Sequence, residues 1–233
     1  MPPSLRRARR HLRDPAGVAA PDPWLARWGL TPNQVTVANA VLGLAAAALV
    51  ATGSRGAVAA GGLAIFASVV LDSCDGELAR IRHLYSAFGR TLDNVSDDVI
   101  DIAMTVALAV ALGGWWVPVA LVAAAARASC AAMIFRAVAR AGKPGDVLAF
   151  RWFFDRADSE LTERFARRVT PLALVRALGR RDAYVLVWTL ACLTGVLAPG
   201  LIVGLAVAYG YFGLSLAHRV VRARRAPADR AGM

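Results

Sequence analysis

The chain has 233 residues, 58% of them hydrophobic, with a mean hydropathy of +0.51, more apolar than the roughly 45–50% of a soluble domain. Its net charge is +11, but the arginines lie between long apolar blocks rather than on one basic face, which excludes a nucleic-acid partner and fits membrane topology. Cys74, Cys130 and Cys192 all fall inside apolar blocks, at spacings that suit neither a zinc site nor a disulfide framework.

Residues 1–32 form a basic arm with Trp24 and Trp28. Two readings stand for it, an interfacial helix with the tryptophans at headgroup level or a disordered tail, since Pro21 and Pro23 limit helix length. The arm carries no apolar run ending in a cleavage site, so no removable signal peptide is expected. Thr31-Pro32-Asn33 reads as a helix start, with Thr31 as the cap and Pro32 in the first turn. A bilayer core needs about 20 apolar residues per helix. Six stretches approach this, at 33–52, 57–79, 88–112, 116–136, 183–198 and 200–218. The expected architecture is therefore all-α, a bundle of six transmembrane helices with an N-terminal interfacial helix. The six-span domain covers 33–222, with an insert at 141–182 and a tail at 223–233. With both termini inside, every Lys and Arg except Arg55 and Arg127 falls on the cytoplasmic side, so the positive-inside rule orients the chain.

Chemistry-bearing residues gather where spans two and three face each other. At about 100° per residue, Asp72, Asp75, Gly76, Ala79 and Arg80 share one helix face. Asp93 and Asp97 are one turn apart on the next helix, and Asp101 continues their row. A short connection brings the two helix ends together, so four carboxylates converge at the cytoplasmic rim. Carboxylates so placed are costly alone, and two divalent cations balance four of them. Hard oxygen ligands suit Mg²⁺ or Mn²⁺ better than zinc. Such ions complete their shells with phosphates, Gly76 and Ala79 leave room for a flat nucleotide, and Arg80 can pair with a phosphate. His11, His83 and His218 lie in interfacial segments, and His83 falls near the face of Asp72, where a ligand role is a minor alternative.

The pattern Asp72-x2-Asp75-Gly76-x2-Ala79-Arg80-x8-Gly89-x3-Asp93-x3-Asp97 resembles the signature of the CDP-alcohol phosphotransferase family at every fixed position, including phosphatidylinositol-phosphate synthase-like members. The Gly29–Asn33 stretch and Arg180-Arg181-Asp182 also look like family features. The resemblance implies that Asp72, Asp75, Asp93 and Asp97 hold two metal ions and that Asp97 takes the acceptor's proton. It also implies that Thr31, Pro32, Asn33, Gln34, Gly76, Ala79, Arg80, Ser86 and Gly89 contact the CDP moiety. Asn33 stands where phosphatidylinositol-phosphate synthases often carry Asp, a departure that leaves the ion ligands intact. The implied reaction moves a phosphoalcohol group from a CDP-alcohol to an acceptor hydroxyl and releases CMP. CDP-diacylglycerol is the favoured donor and a soluble CDP-inositol type the alternative. The acceptor is a small alcohol or sugar phosphate, the setting is phospholipid synthesis in a bacterial-type inner membrane, and homodimers are common in the family.

Two further expectations come from charge. Arg127 and Asp101 sit at matching depths on antiparallel spans and should pair inside the bundle, with acceptor binding as the other reading of Arg127. Arg136, Arg140, Lys143, Arg180 and Arg181 are candidates for an acceptor phosphate, although inside-facing topology alone also accounts for them. A rival from another class is a cation transporter, but that predicts acids near mid-membrane rather than at one rim.

Overall fold

The computed structural model describes residues 31–82, 86–152 and 180–231; the side chains at 32, 73–82, 148 and 225–231 lie outside this description. The basic arm, His83 and most of the 141–182 insert therefore fall outside it. Among the described residues there are six α-helices and no strand.

Helix α1 spans Pro32–Ala51. Thr31 caps it, and Gln34 reaches back to the Thr31 amide, a capping box that satisfies two of the free amides at a helix start. Helix α2 spans Arg55–Arg82 and α3 spans Ala87–Leu112, with Ser86 accepting from the Gly89 amide at 2.8 Å as its cap. Gly113 and Gly114 stop α3 at φ 73 and 62, a conformation that side chains other than glycine's rarely adopt. Helix α4 spans Trp116–Arg140 and leads into a short 3-10 turn at Val147–Ala149. Helix α5 spans Arg181–Thr194, and α6 spans Leu197–Ala231.

These six helices fall on the six stretches expected to span, with shifted ends, and four of them are long and apolar enough to cross a membrane. Helix α2 continues to Arg82, so the whole Asp72–Arg80 stretch lies on one helix. Helix α6 runs on to Ala231 through the segment assigned to a tail, with Pro227 inside its last turns. Asn33–Ala51, Arg55–Asp72, Trp116–Arg140 and Leu197–Arg224 are long and apolar enough to cross a membrane. Helix α3 has the length but carries Asp93, Asp97, Asp98 and Asp101. Helix α5 has 14 residues, roughly 21 Å of helix against a core of about 30 Å.

Helix α1 packs on α2 and α3, α2 on α5, α5 on α6, and α6 and α3 both on α4 and on each other. The interior is closed by Ile65, Ile100, Met104, Leu108, Val185, Trp188 and Leu201. Trp188 donates its indole N–H to the Gly200 carbonyl at 3.0 Å, so this buried ring leaves no donor unmatched. The outer faces are apolar instead of charged, with Val41, Leu63, Val122 and Ile202 more than half exposed. This inside-out pattern suits a lipid surround.

Small residues set the close helix contacts. A Cβ on Gly62 would lie 2.6 Å from the Cβ of Cys192 and 3.2 Å from the Thr189 carbonyl, so α2 and α5 touch almost backbone to backbone. Gly62→Val should therefore destabilise the bundle by about 1–3 kcal/mol. The check is the thermal unfolding midpoint in detergent, with Gly56→Ala as the neutral control because nothing lies within 4 Å of a Cβ there.

Candidate active site

Helix α2 presents Asp72, and α3 presents Asp93 and Asp97 one turn apart. One carboxylate oxygen from each of the three lies within 4.8 Å of the others. An octahedral shell with metal–oxygen distances of about 2.1 Å is roughly 4.2 Å across. These three hard donors therefore fit a divalent cation with little side-chain adjustment. Asp75, Gly76, Ala79 and Arg80 lie on the last turns of the same α2, and their side chains are outside the described set.

Neighbouring groups hold the acids in place. Asn39 of α1 donates to Asp72 Oδ1 at 3.4 Å, and Ser68 donates to the Asn39 carbonyl oxygen. Arg181, on the first turn of α5, reaches across the cluster. Its Nη1 lies 2.6 Å from Asp97 Oδ1 and 3.2 Å from Asp72 Oδ2, and its Nε lies 3.5 Å from Asp101 Oδ1. Arg127 of α4 contacts Asp98 Oδ1 through both Nε (2.9 Å) and Nη2 (2.7 Å) and packs over the Tyr211 ring at 4.6 Å. The anticipated Arg127–Asp101 pair is present at 3.6 Å, but Asp98 is the nearer partner. Asp101 is buried and also receives the Tyr184 hydroxyl. Among the described residues, the five acids Asp72, Asp93, Asp97, Asp98 and Asp101 gather around two cations that pair with them, Arg127 and Arg181. The surplus is negative, which favours binding of a cation.

A cavity of about 230 Å³ opens beside Asp97. Asn94, Asp97, Asp98, Asp101, Arg127 and Arg181 supply its polar wall, and Ile134, Phe135 and Tyr211 belong to the remainder. Asn94 also donates to the Gly145 carbonyl at 3.2 Å, which ties the turn after α4 to α3. Of the proposed acceptor ligands only Arg127 and Arg181 line this cavity. Arg136, Arg140 and Lys143 are exposed, and Arg180 pairs with Asp182 on the surface at 3.2 Å, a contact worth little.

Three of the expected nucleotide contacts assemble at the start of α1 and α3. A Cβ on Gly89 would lie 2.9 Å from Asn33 Oδ1 and 3.0 Å from Ser86 Oγ, so glycine permits the two helix starts to meet. Thr31 and Gln34 are engaged in the α1 capping box. The sequence reading passed over Asp98, Tyr184, Tyr211 and Asn39. Asn39 could have been found as a lone amide among the Val and Ala of the first span.

This acidic cluster on an all-helical bundle with apolar outer faces is one that could hold a metal ion. The family model for CDP-alcohol phosphatidyltransferases matches residues 29–194, more than half of the chain, and the chain belongs to that family of lipid-biosynthetic phosphotransferase enzymes. It is similar to the bifunctional IPC transferase and DIPP synthase of Aquifex aeolicus (strain VF5), 42% identical over 86 residues. That match covers 37% of this chain and 19% of the relative, so the chain spans only about a fifth of it.

Proposed function

We propose that the protein transfers a phosphoalcohol group from a CDP-alcohol to an acceptor hydroxyl and releases CMP, with Asp97 as the base. The observation that carries this reading is the convergence of Asp72, Asp93 and Asp97 beside a polar cavity. Asp72, Asp75, Asp93 and Asp97 would hold two ions, Mg²⁺ or Mn²⁺, which when bound supply charge compensation to the donor diphosphate and the leaving CMP. Asn33, Ser86, Gly89, Gly76, Ala79 and Arg80, together with Thr31, Pro32 and Gln34, form the nucleotide side of the site. Asp97 lines the cavity, where an acceptor hydroxyl can reach it. Its carboxylate takes the hydroxyl proton while the oxygen attacks the phosphorus next to the alcohol and the phosphoanhydride bond to CMP breaks. Positioning and electrostatics supply most of the acceleration.

CDP-diacylglycerol is the proposed donor, since the apolar outer faces of α1 and α2 give a lipid tail a surface to lie against. The second reading, a soluble donor such as CDP-inositol, draws on the polar wall of the cavity, and the name of the Aquifex relative adds IPC transferase and DIPP synthase chemistry to what must be sampled. The distribution of Lys and Arg supports placement in a bacterial-type inner membrane with the site and both termini facing the cytoplasm. A homodimer is proposed from the family habit.

The test pairs CDP-diacylglycerol or CDP-inositol with inositol phosphate, glycerol phosphate and free inositol, and measures CMP release by purified protein. CMP should appear with Mn²⁺ or Mg²⁺ and vanish with a chelator. Cation flux through liposomes, with no CMP from any donor, would replace this reading with the transporter.

A further inference from the structure

We propose that Arg181 is a built-in counter-cation for the ion site: its guanidinium pairs with Asp72 and Asp97, and a divalent ion displaces it from them on binding. The proposal rests on the reading of the aspartate cluster as an ion site. Arg181 Nη1 is 2.6 Å from Asp97 Oδ1 and 3.2 Å from Asp72 Oδ2. An ion shared by these residues would lie about 2.1 Å from oxygens of the same carboxylates. Guanidinium and ion would then be near neighbours of like charge in a poorly solvated site, where repulsion is strong. The two cations compete for the same carboxylates.

Arg181 is built for such an exchange. It stands on the first turn of α5, and its guanidinium sits at the end of a chain of four rotatable bonds. Its long side chain can therefore change rotamer without moving the helix. It also has somewhere to go. Asp101, fixed by Tyr184 and Arg127, already lies 3.5 Å from Arg181 Nε. The buried Arg181 Nη2 has no hydrogen-bond partner among the described residues, and the side chain borders the 230 Å³ cavity. Withdrawal keeps the Asp101 contact and gives up those to Asp72 and Asp97.

The experiment measures Mn²⁺ binding to purified full-length protein by the electron paramagnetic resonance signal of free Mn²⁺. Removing the internal competitor should tighten binding. Arg181→Gln should lower the Mn²⁺ Kd about ten- to hundredfold, the range expected when a charge-assisted hydrogen bond to Asp72 and an ion pair to Asp97 no longer have to be broken. Arg181→Lys should fall between Gln and wild type. Unchanged or weaker binding in Arg181→Gln overturns the proposal and leaves the ion site standing. Failure of both wild type and variant to bind Mn²⁺ overturns the ion site and the proposal with it. A second measurement needs no variant: phenylglyoxal labelling of wild-type Arg181, located by peptide mass spectrometry. Mn²⁺ should speed labelling at Arg181, and slowed or unchanged labelling counts against withdrawal.

Discussion

Asp97→Asn is expected to lower CMP release by about 10²–10⁴-fold, the range for loss of a general base, while nucleotide binding is largely spared. Asparagine keeps the shape and one oxygen of the carboxylate but cannot accept and carry the acceptor's proton. Asp97 is also one of three residues whose oxygens cluster within 4.8 Å, so the variant loses ion affinity as well, and the two losses must be separated. Raising Mn²⁺ distinguishes them. Asp93→Asn, which shares the cluster without the proposed base role, should regain much of its activity as Mn²⁺ increases. Asp97→Asn should bind the ions at high concentration and still fail to turn over. Single-turnover CMP release across a Mn²⁺ series, with CDP binding measured alongside by calorimetry, reads both. Recovery of Asp97→Asn by excess Mn²⁺ would mean that another group takes the proton.

How much of this was legible in the sequence depends on the distance over which each interaction acts. The spans and the Asp93–Asp97–Asp101 row were visible because helix periodicity is local, and acids inside an apolar run stand out against it. Thr31 and Gln34 carry a capping-box spacing that was also readable, although only the Thr31 half was used. Arg181 was noticed as a candidate, but its reach to Asp72 was not. The two are 109 residues apart in the chain, and no short-range rule brings the start of α5 to the end of α2. Depth matching placed Arg127 opposite Asp101 correctly. It did not choose between Asp101 and Asp98, which sits three residues earlier on the same face, and that choice depends on side-chain rotamers rather than on depth.

Arg127→Met should destabilise the bundle by about 3–5 kcal/mol, because it strands Asp98 and leaves Asp101 with Arg181 and Tyr184 alone. Arg127 is 16% exposed and Asp98 22%, and both border the cavity, so water softens the loss only in part. Methionine roughly fills the space over Tyr211 but supplies none of the three contacts that the guanidinium makes with the two carboxylates. Adding Asp98→Asn should recover part of the stability, since the stranded charge is then gone; the coupling between the two changes measures the pair itself. Unfolding midpoints of the four proteins in one detergent give the cycle. The same variants decide between the two readings of Arg127. A residue whose work is to neutralise Asp98 and Asp101 loses stability in Arg127→Met and regains it with the second change. A residue that binds the acceptor leaves stability near wild type and raises the acceptor KM, and the second change does not repair it. The contacts to Asp98 on two guanidinium nitrogens, with Asp101 within ion-pair range, favour the first outcome.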